Sequence, residues 1–218
     1  MPAYQWYTVF LCLERRTILL WFQLGAFVVY FLYFSFFEWA FHRHMFHTPR
    51  FSRYMFKAHT LVHHQIYKGD ETYHTHDDHP HKVPMDWWAM PVMIAVHLPL
   101  FFLLQWVTGV PSVWGGVAAV AVYFSIYESI HWAMHVPKAA AVLNHFAAFR
   151  FLDAHHRVHH KYMLSNLNVV LPLADLCLGT LRNAEGKRVQ LFGGGAKPSP
   201  AKVTLPKVPS VSVSIIGE

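Results

Sequence analysis

A chain of 218 residues that is 54% hydrophobic, 17% aromatic and only 14% charged is too apolar for an ordinary soluble domain. Eighteen histidines and a formal net charge of +6 point to an anionic partner or membrane surface, and long apolar runs without a nucleic-acid motif favour lipid. The two cysteines, Cys12 and Cys177, exclude a disulfide framework or thiolate zinc site and suit a reducing, cytosol-facing protein.

Residues 4–13 are apolar but short, and Glu14, Arg15 and Arg16 interrupt them; they read as an interfacial segment or a helix start. Residues 17–39 form the first span, uncharged until Glu38 and long enough to cross a bilayer core as helix. The helix is predicted to run on through His42, His44 and His47 and to stop at Pro49. Residues 52–64 read as a polar helix carrying His59, His63 and His64. The loop 74–81, with four histidines and Pro80, has no periodicity. It is read either as a solvated loop, or as a lid over a site or the source of one stray ligand.

Two further spans, 87–107 and 112–130, flank Gly109 and Pro111 and form a hairpin; the second continues into His131 and His135. Residues 138–165 read as helical and hold His155, His156, His159 and His160. The fold class is therefore all-α and membrane-integral, with about three spans and a fourth left open. Residues 1–192 form one membrane-embedded domain, its helical cap made of 40–86 and 131–192. Residues 193–218, rich in Gly, Pro, Ser and Lys, are expected to be a flexible tail. All but Arg15 and Arg16 of the 18 Lys and Arg fall on the histidine side, so the positive-inside rule puts the cap in the cytosol.

Neutral imidazole suits Zn, Cu, Fe and Ni. His59/His63 and His131/His135 are i,i+4 pairs, and His156, His159 and His160 combine i,i+3 and i,i+4 spacing, which places such rings on one helix face. His42 and His47 are five apart, about 140° around an ideal helix, and need a distorted helix end or different metals. These clusters exceed what one tetrahedral ion uses, so two metal ions are expected. The candidate ligands are His42, His47, His59, His63, His64, His131, His135, His156, His159 and His160. His44, His145 and His155 read as supporting or surface groups, and His97, inside a span, as a packed core histidine. Glu38 and Glu128 precede His42 and His131 by four and three residues and are candidates to orient them. The aromatics of 34–39, with Trp87 and Trp88, read as interface belts and lipid-facing packing.

The blocks His42-Arg-x-x-x-His47, His59-x-x-x-His63-His64, His131-x-x-x-His135 and His156-x-x-His159-His160, followed by Asn166-x-Asn168-Val169-Val170 and Pro172-Leu173-x-Asp175-x-x-x-Gly179-Thr180-Leu181, resemble the fatty acid hydroxylase/sterol desaturase superfamily. The second block has three residues before His63-His64 where many members have two. The resemblance implies a membrane-integral enzyme with a histidine-ligated di-metal centre. The implied functional metal is iron, with zinc as the alternative occupant. It implies O2 as co-substrate and hydroxylation or desaturation of a fatty acyl, sphingolipid, sterol or related lipid. It also implies a separate ferredoxin- or cytochrome-type electron donor with its reductase. The rival expectation from the residues is a histidine-rich membrane metal transporter or metal-binding protein, whose ligands would sit near the bilayer midplane.

Overall fold

The computed structural model describes residues 3–75 and 83–189, residues 3–13 by their backbone alone. The tail expected over 193–218 lies outside the described residues, as does most of the 74–81 loop. The described chain is all-helical, with one isolated antiparallel bridge between Arg182 and Arg188. The α-helices are α1 (Ala3–Phe41), α2 (Arg53–Phe56), α3 (His64–Ile66), α4 (Ala89–Thr108), α5 (Val113–His135), α6 (Pro137–Leu143), α7 (Ala147–Lys161) and α8 (Leu173–Cys177). Two π-helical turns, His42–Phe46 and Lys57–His63, extend α1 and link α2 to α3.

Three helices are long and apolar enough to cross a membrane: Glu14–Phe46, Ala89–Thr108 and Val113–His135. The interruption read at residues 14–16 does not break the first of them, and α1 runs through it for 39 residues. Glu and Arg are good helix formers, and nothing there removes a backbone donor. Residues 4–13 therefore belong to α1.

The hairpin between α4 and α5 is built from both sides. Gly109 takes φ +68, the left-handed conformation that closes a helix, and its N–H donates to the Gln105 carbonyl at 2.9 Å. The Gln105 side chain then accepts from the Ser112 and Val113 amides at 2.9 and 3.2 Å, satisfying donors that the start of α5 would otherwise leave unpaired. Helix α1 packs along α5. At their closest approach the Gly115 N–H donates to the Gln23 side chain at 2.6 Å, and a Cβ at 115 would overlap the Gln23 carbonyl. Gly115→Val is therefore expected to cost about 1–3 kcal/mol, read as a lower unfolding midpoint in detergent; an unchanged midpoint would contradict this packing.

Tyr30, Phe34, Phe101, Val120 and Tyr123 fill the space between the three long helices. Leu20, Trp21, Val29, Trp106 and Trp114 stand exposed on their outer faces, as lipid-facing residues of a bundle do. Trp87 is likewise exposed, in keeping with a belt. The aromatics of 34–39 do not form one: Phe34 is buried, and Trp39 donates to the Thr180 hydroxyl at 2.8 Å. Phe34 and Trp39 face the side of α1 that the cap and α5 cover, while Phe36 stands exposed.

Candidate metal centre

The C-terminal ends of α1 and α5 lie at the same end of the bundle, and the cap closes over them. His42 enters from the π turn that extends α1, His47 from the residue after that turn, and His59, His63 and His64 from the α2–α3 segment. His131 and His135 come from α5, and His156, His159 and His160 from α7. The ten candidate ligands form two groups of five. One is His42, His47, His59, His64 and His159; the other is His63, His131, His135, His156 and His160. Within each group the ligand-capable atoms lie within 4.8 Å of one another. Nitrogens bound to one ion by 2.1 Å bonds lie between about 3.0 and 4.2 Å apart, so each group is somewhat wider than a closed ligand shell. The groups share a wall, where the His64 and His160 rings stack at 4.2 Å.

The π turns account for the memberships that an ideal helix does not. The His47 amide donates to the His42 carbonyl at 3.2 Å, and the His64 amide donates to that of His59. Both are i→i+5 bonds, which widen the turn and bring residues five apart onto one face. The His42 and His47 rings accordingly stack at 5.0 Å. His59 pairs with His64, their Nε2 atoms 3.1 Å apart, and His63 turns to the second group. The i,i+4 pairing of His59 with His63 is thus replaced by an i,i+5 pairing. On α7, His156 and His160 point to one group and His159 to the other.

The protonation pattern tests whether these residues fit a cation. His42 Nδ1 donates to the Leu167 carbonyl at 2.6 Å, and His159 Nδ1 to that of Ser165 at 2.9 Å. A carbonyl can only accept, so both rings carry their proton on Nδ1 and present a bare Nε2. The Thr60 hydroxyl donates to the Phe46 carbonyl at 2.7 Å, leaving its oxygen to accept from His47 Nδ1 at 3.0 Å. His47 Nε2 is then also bare, yet it faces His159 Nε2 at 3.2 Å. Two lone pairs at that distance repel, and a shared metal ion converts the contact into ligation.

In the second group, His135 Nδ1 donates to the Tyr73 carbonyl at 2.8 Å and His160 Nδ1 to that of Tyr67. The inward Nε2 atoms of His63, His131 and His135 are buried without a hydrogen-bond partner, a costly state for polar atoms. Burial drives His47, His59, His63, His64, His156, His159 and His160 well below the ordinary imidazole value, and neighbouring histidines push most of them further down. The site is a neutral, lone-pair-rich interior, and the residues present fit two metal ions.

The remaining candidates stand apart. His44 and His145 are exposed. His155 is buried but bonds to Asp175 at 3.2 Å. His97 packs against Phe34, Phe37 and Phe101 within α4's inner face. His74 meets Arg157 at 3.0 Å and joins neither group, while the other histidines of its loop lie outside the described residues. Glu38 and Glu128 do not orient His42 and His131. Glu38 accepts from the Val169 amide, the Tyr123 hydroxyl and the Asn168 side chain at 2.6, 2.6 and 3.0 Å. Glu128 accepts from the Met85 amide at 2.8 Å. Helical proximity suggested the histidines, but these carboxylates point to other chain segments.

Besides the Thr60 hydroxyl on His47, the groups that orient the rings are the carbonyls of Leu167, Ser165, Tyr73 and Tyr67. Every residue carries a carbonyl, so no side-chain pattern reveals them. The chain was compared with protein-family models, curated proteins and solved structures, and matches none of them.

Proposed function

We propose that this chain is an O2-dependent lipid hydroxylase or desaturase of the fatty acid hydroxylase/sterol desaturase type, with two iron ions held by the two histidine groups and the cap facing the cytosol. The observation that carries the reading is the pairing of those groups with an apolar cavity between the spans. The cavity is narrow, about 60 Å³, and is lined by Phe34, Phe37 and Phe41 of α1, Met93 of α4 and Val120 and Phe124 of α5, together with His42. From Phe34 to His42 is eight residues, about 12 Å of helix. A hydrocarbon chain would have to part these apolar side chains to enter, and would then present one of its carbons to the first histidine group.

Bound iron would supply the O2 chemistry that removes hydrogen from an unactivated C–H bond. In hydroxylation one C–H becomes C–OH; O2 takes two electrons and two protons from outside and leaves its second oxygen as water. In desaturation two C–H bonds are lost and both oxygens leave as water. No electron-carrying group is built from the described residues, so a ferredoxin- or cytochrome-type partner with its reductase is part of the proposal. The chain's own contribution is to orient four of the imidazoles through carbonyl acceptors and His47 through a hydroxyl, to keep the rings neutral by burial and to exclude water with aromatic walls. A transporter would carry ligands near the bilayer midplane, where His97 is enclosed by aromatic rings.

Purified protein loaded with Fe2+ should hold about two irons and consume O2 with a lipid extract and a reductant. Lipids from cells making the wild type should gain hydroxyl groups or double bonds that cells making His159→Ala lack; identical lipids in both would overturn the reading. Val120→Trp, at a residue lining the cavity, should lower turnover of long-chain lipids about tenfold or more, equivalent to about 1.4 kcal/mol in the barrier, with iron content unchanged. Equal turnover would place the substrate elsewhere.

A further inference from the structure

We propose that Asp175 is a positioning residue for the first histidine group alone, and that the two groups are held by separate outer frames. This rests on reading both groups as metal positions. The loop 165–169 supplies the carbonyls of Ser165 and Leu167, which fix His159 and His42. Asp175, wholly buried at the centre of α8, holds that loop. Its Oδ1 accepts from the Leu167 amide at 2.9 Å and the Thr180 hydroxyl at 2.6 Å; its Oδ2 accepts from the Asn168 amide at 2.7 Å and His155 at 3.2 Å. The Asn168 side chain returns a bond, accepting from the Asp175 amide at 3.1 Å. One carboxylate thus sets the loop that aims two first-group rings; its bond to His155 reaches α7, which carries rings of both groups, and is the weakest-placed of the four at 3.2 Å.

The second group hangs on different residues. His135 and His160 donate to the carbonyls of Tyr73 and Tyr67. Tyr73 is held by the Arg157 guanidinium 4.1 Å over its ring and by a bond from its hydroxyl to Asp153 at 3.2 Å. The Thr75 amide donates to the His135 carbonyl at 2.9 Å. None of these contacts involves Asp175; α7 is the element common to both frames.

Asp175→Asn separates the frames. An amide has one acceptor oxygen, and each carboxylate oxygen here takes a backbone N–H, so either orientation sets the NH2 against the Leu167 or the Asn168 amide. The loop must shift, and its two carbonyls shift with it. Loss of such supporting partners costs about 10–100-fold in metal affinity.

The test is Co2+ titration of detergent-solubilised protein, followed by bound metal and ligand-field absorption, with helix content checked by circular dichroism. Asp175→Asn is expected to bind one ion as the wild type does and the other about 10–100-fold more weakly. The double variants assign the site: Asp175→Asn with His135→Ala should weaken both positions, while Asp175→Asn with His47→Ala should leave one intact. If Asp175→Asn does not fold, Thr180→Val removes one of the four bonds to the carboxylate and should produce the same one-site weakening, smaller in size. Two intact sites, or equal weakening of both, would overturn the proposal while leaving the two-metal reading standing. A wild type that binds fewer than two ions would overturn that reading and this proposal with it.

Discussion

His159→Ala is expected to remain helical, to hold one metal ion in place of two and to form no oxidised lipid. The ring sits at the centre of the first group: its Nε2 lies 3.2 Å from His47 and 3.1 Å from His64, and its centroid 4.5 Å from that of His42. Without metal, the substitution removes a ring whose lone pair faces those of its neighbours, so the cavity it opens is partly offset by relieved repulsion. With metal, it removes a ligand. The loss should therefore appear in metal-dependent stabilisation more than in the bare protein. A saturating ion at 100 times its Kd stabilises by about 2.7 kcal/mol per site; wild type should gain that twice and His159→Ala once. Melting curves with and without Co2+ measure the difference. His145→Ala, at an exposed position, is the control and should behave as wild type. Equal metal stabilisation in His159→Ala and wild type would remove His159 from the ligand set.

The second large effect is with acid. Seven histidines outside the spans have imidazoles held well below their ordinary value by burial. In the folded chain they stay neutral; in the unfolded chain each takes a proton near pH 6.5. Below that pH the unfolded state binds more protons, so stability falls as pH falls, and above it these groups add no pH dependence. Each contributes up to about 1.4 kcal/mol per pH unit, and several together approach the whole stability of a typical domain, about 5–15 kcal/mol, within one or two units. Metal binding adds to the steepness, because protons compete for the same nitrogens. The unfolding midpoint of metal-free protein should be flat from pH 8 to 7 and drop steeply from pH 6.5 to 5, with metal released over the same range. A midpoint unchanged down to pH 5 would mean that the rings are solvated.

Much of the fold is legible in the sequence because a bilayer-length apolar run has few other uses. The spans at 17–39, 87–107 and 112–130 fall on the C-terminal part of α1, on nearly all of α4 and on most of α5. The start of α1 is not legible, because three charges at 14–16 look like an end, whereas Glu and Arg interrupt hydropathy without interrupting a helix. The ten clustered histidines stand out for their density and spacing, and the structure gathers all ten. Their division does not stand out, because an ideal helix has 3.6 residues per turn and two stretches depart from it. The roles of Glu38 and Asp175 are hidden for a different reason. Their partners lie across the chain: Glu38 meets Asn168, which is 130 residues away. Only the folded loop shows which backbone amides a carboxylate will meet.

The two π turns also bear on how this chain could change length. A π turn is a helix carrying one residue more than its hydrogen-bond ladder needs. Where such a residue points outward, as the exposed Leu61 does, it serves as a spacer that can be gained or lost without rotating the downstream side chains onto another face. In a regular α-helix the same loss would swing every later side chain by about 100°. The stretch from His59 to His64 thus accommodates one residue beyond the α-helical ladder beside its most crowded residues and still delivers both rings to one group.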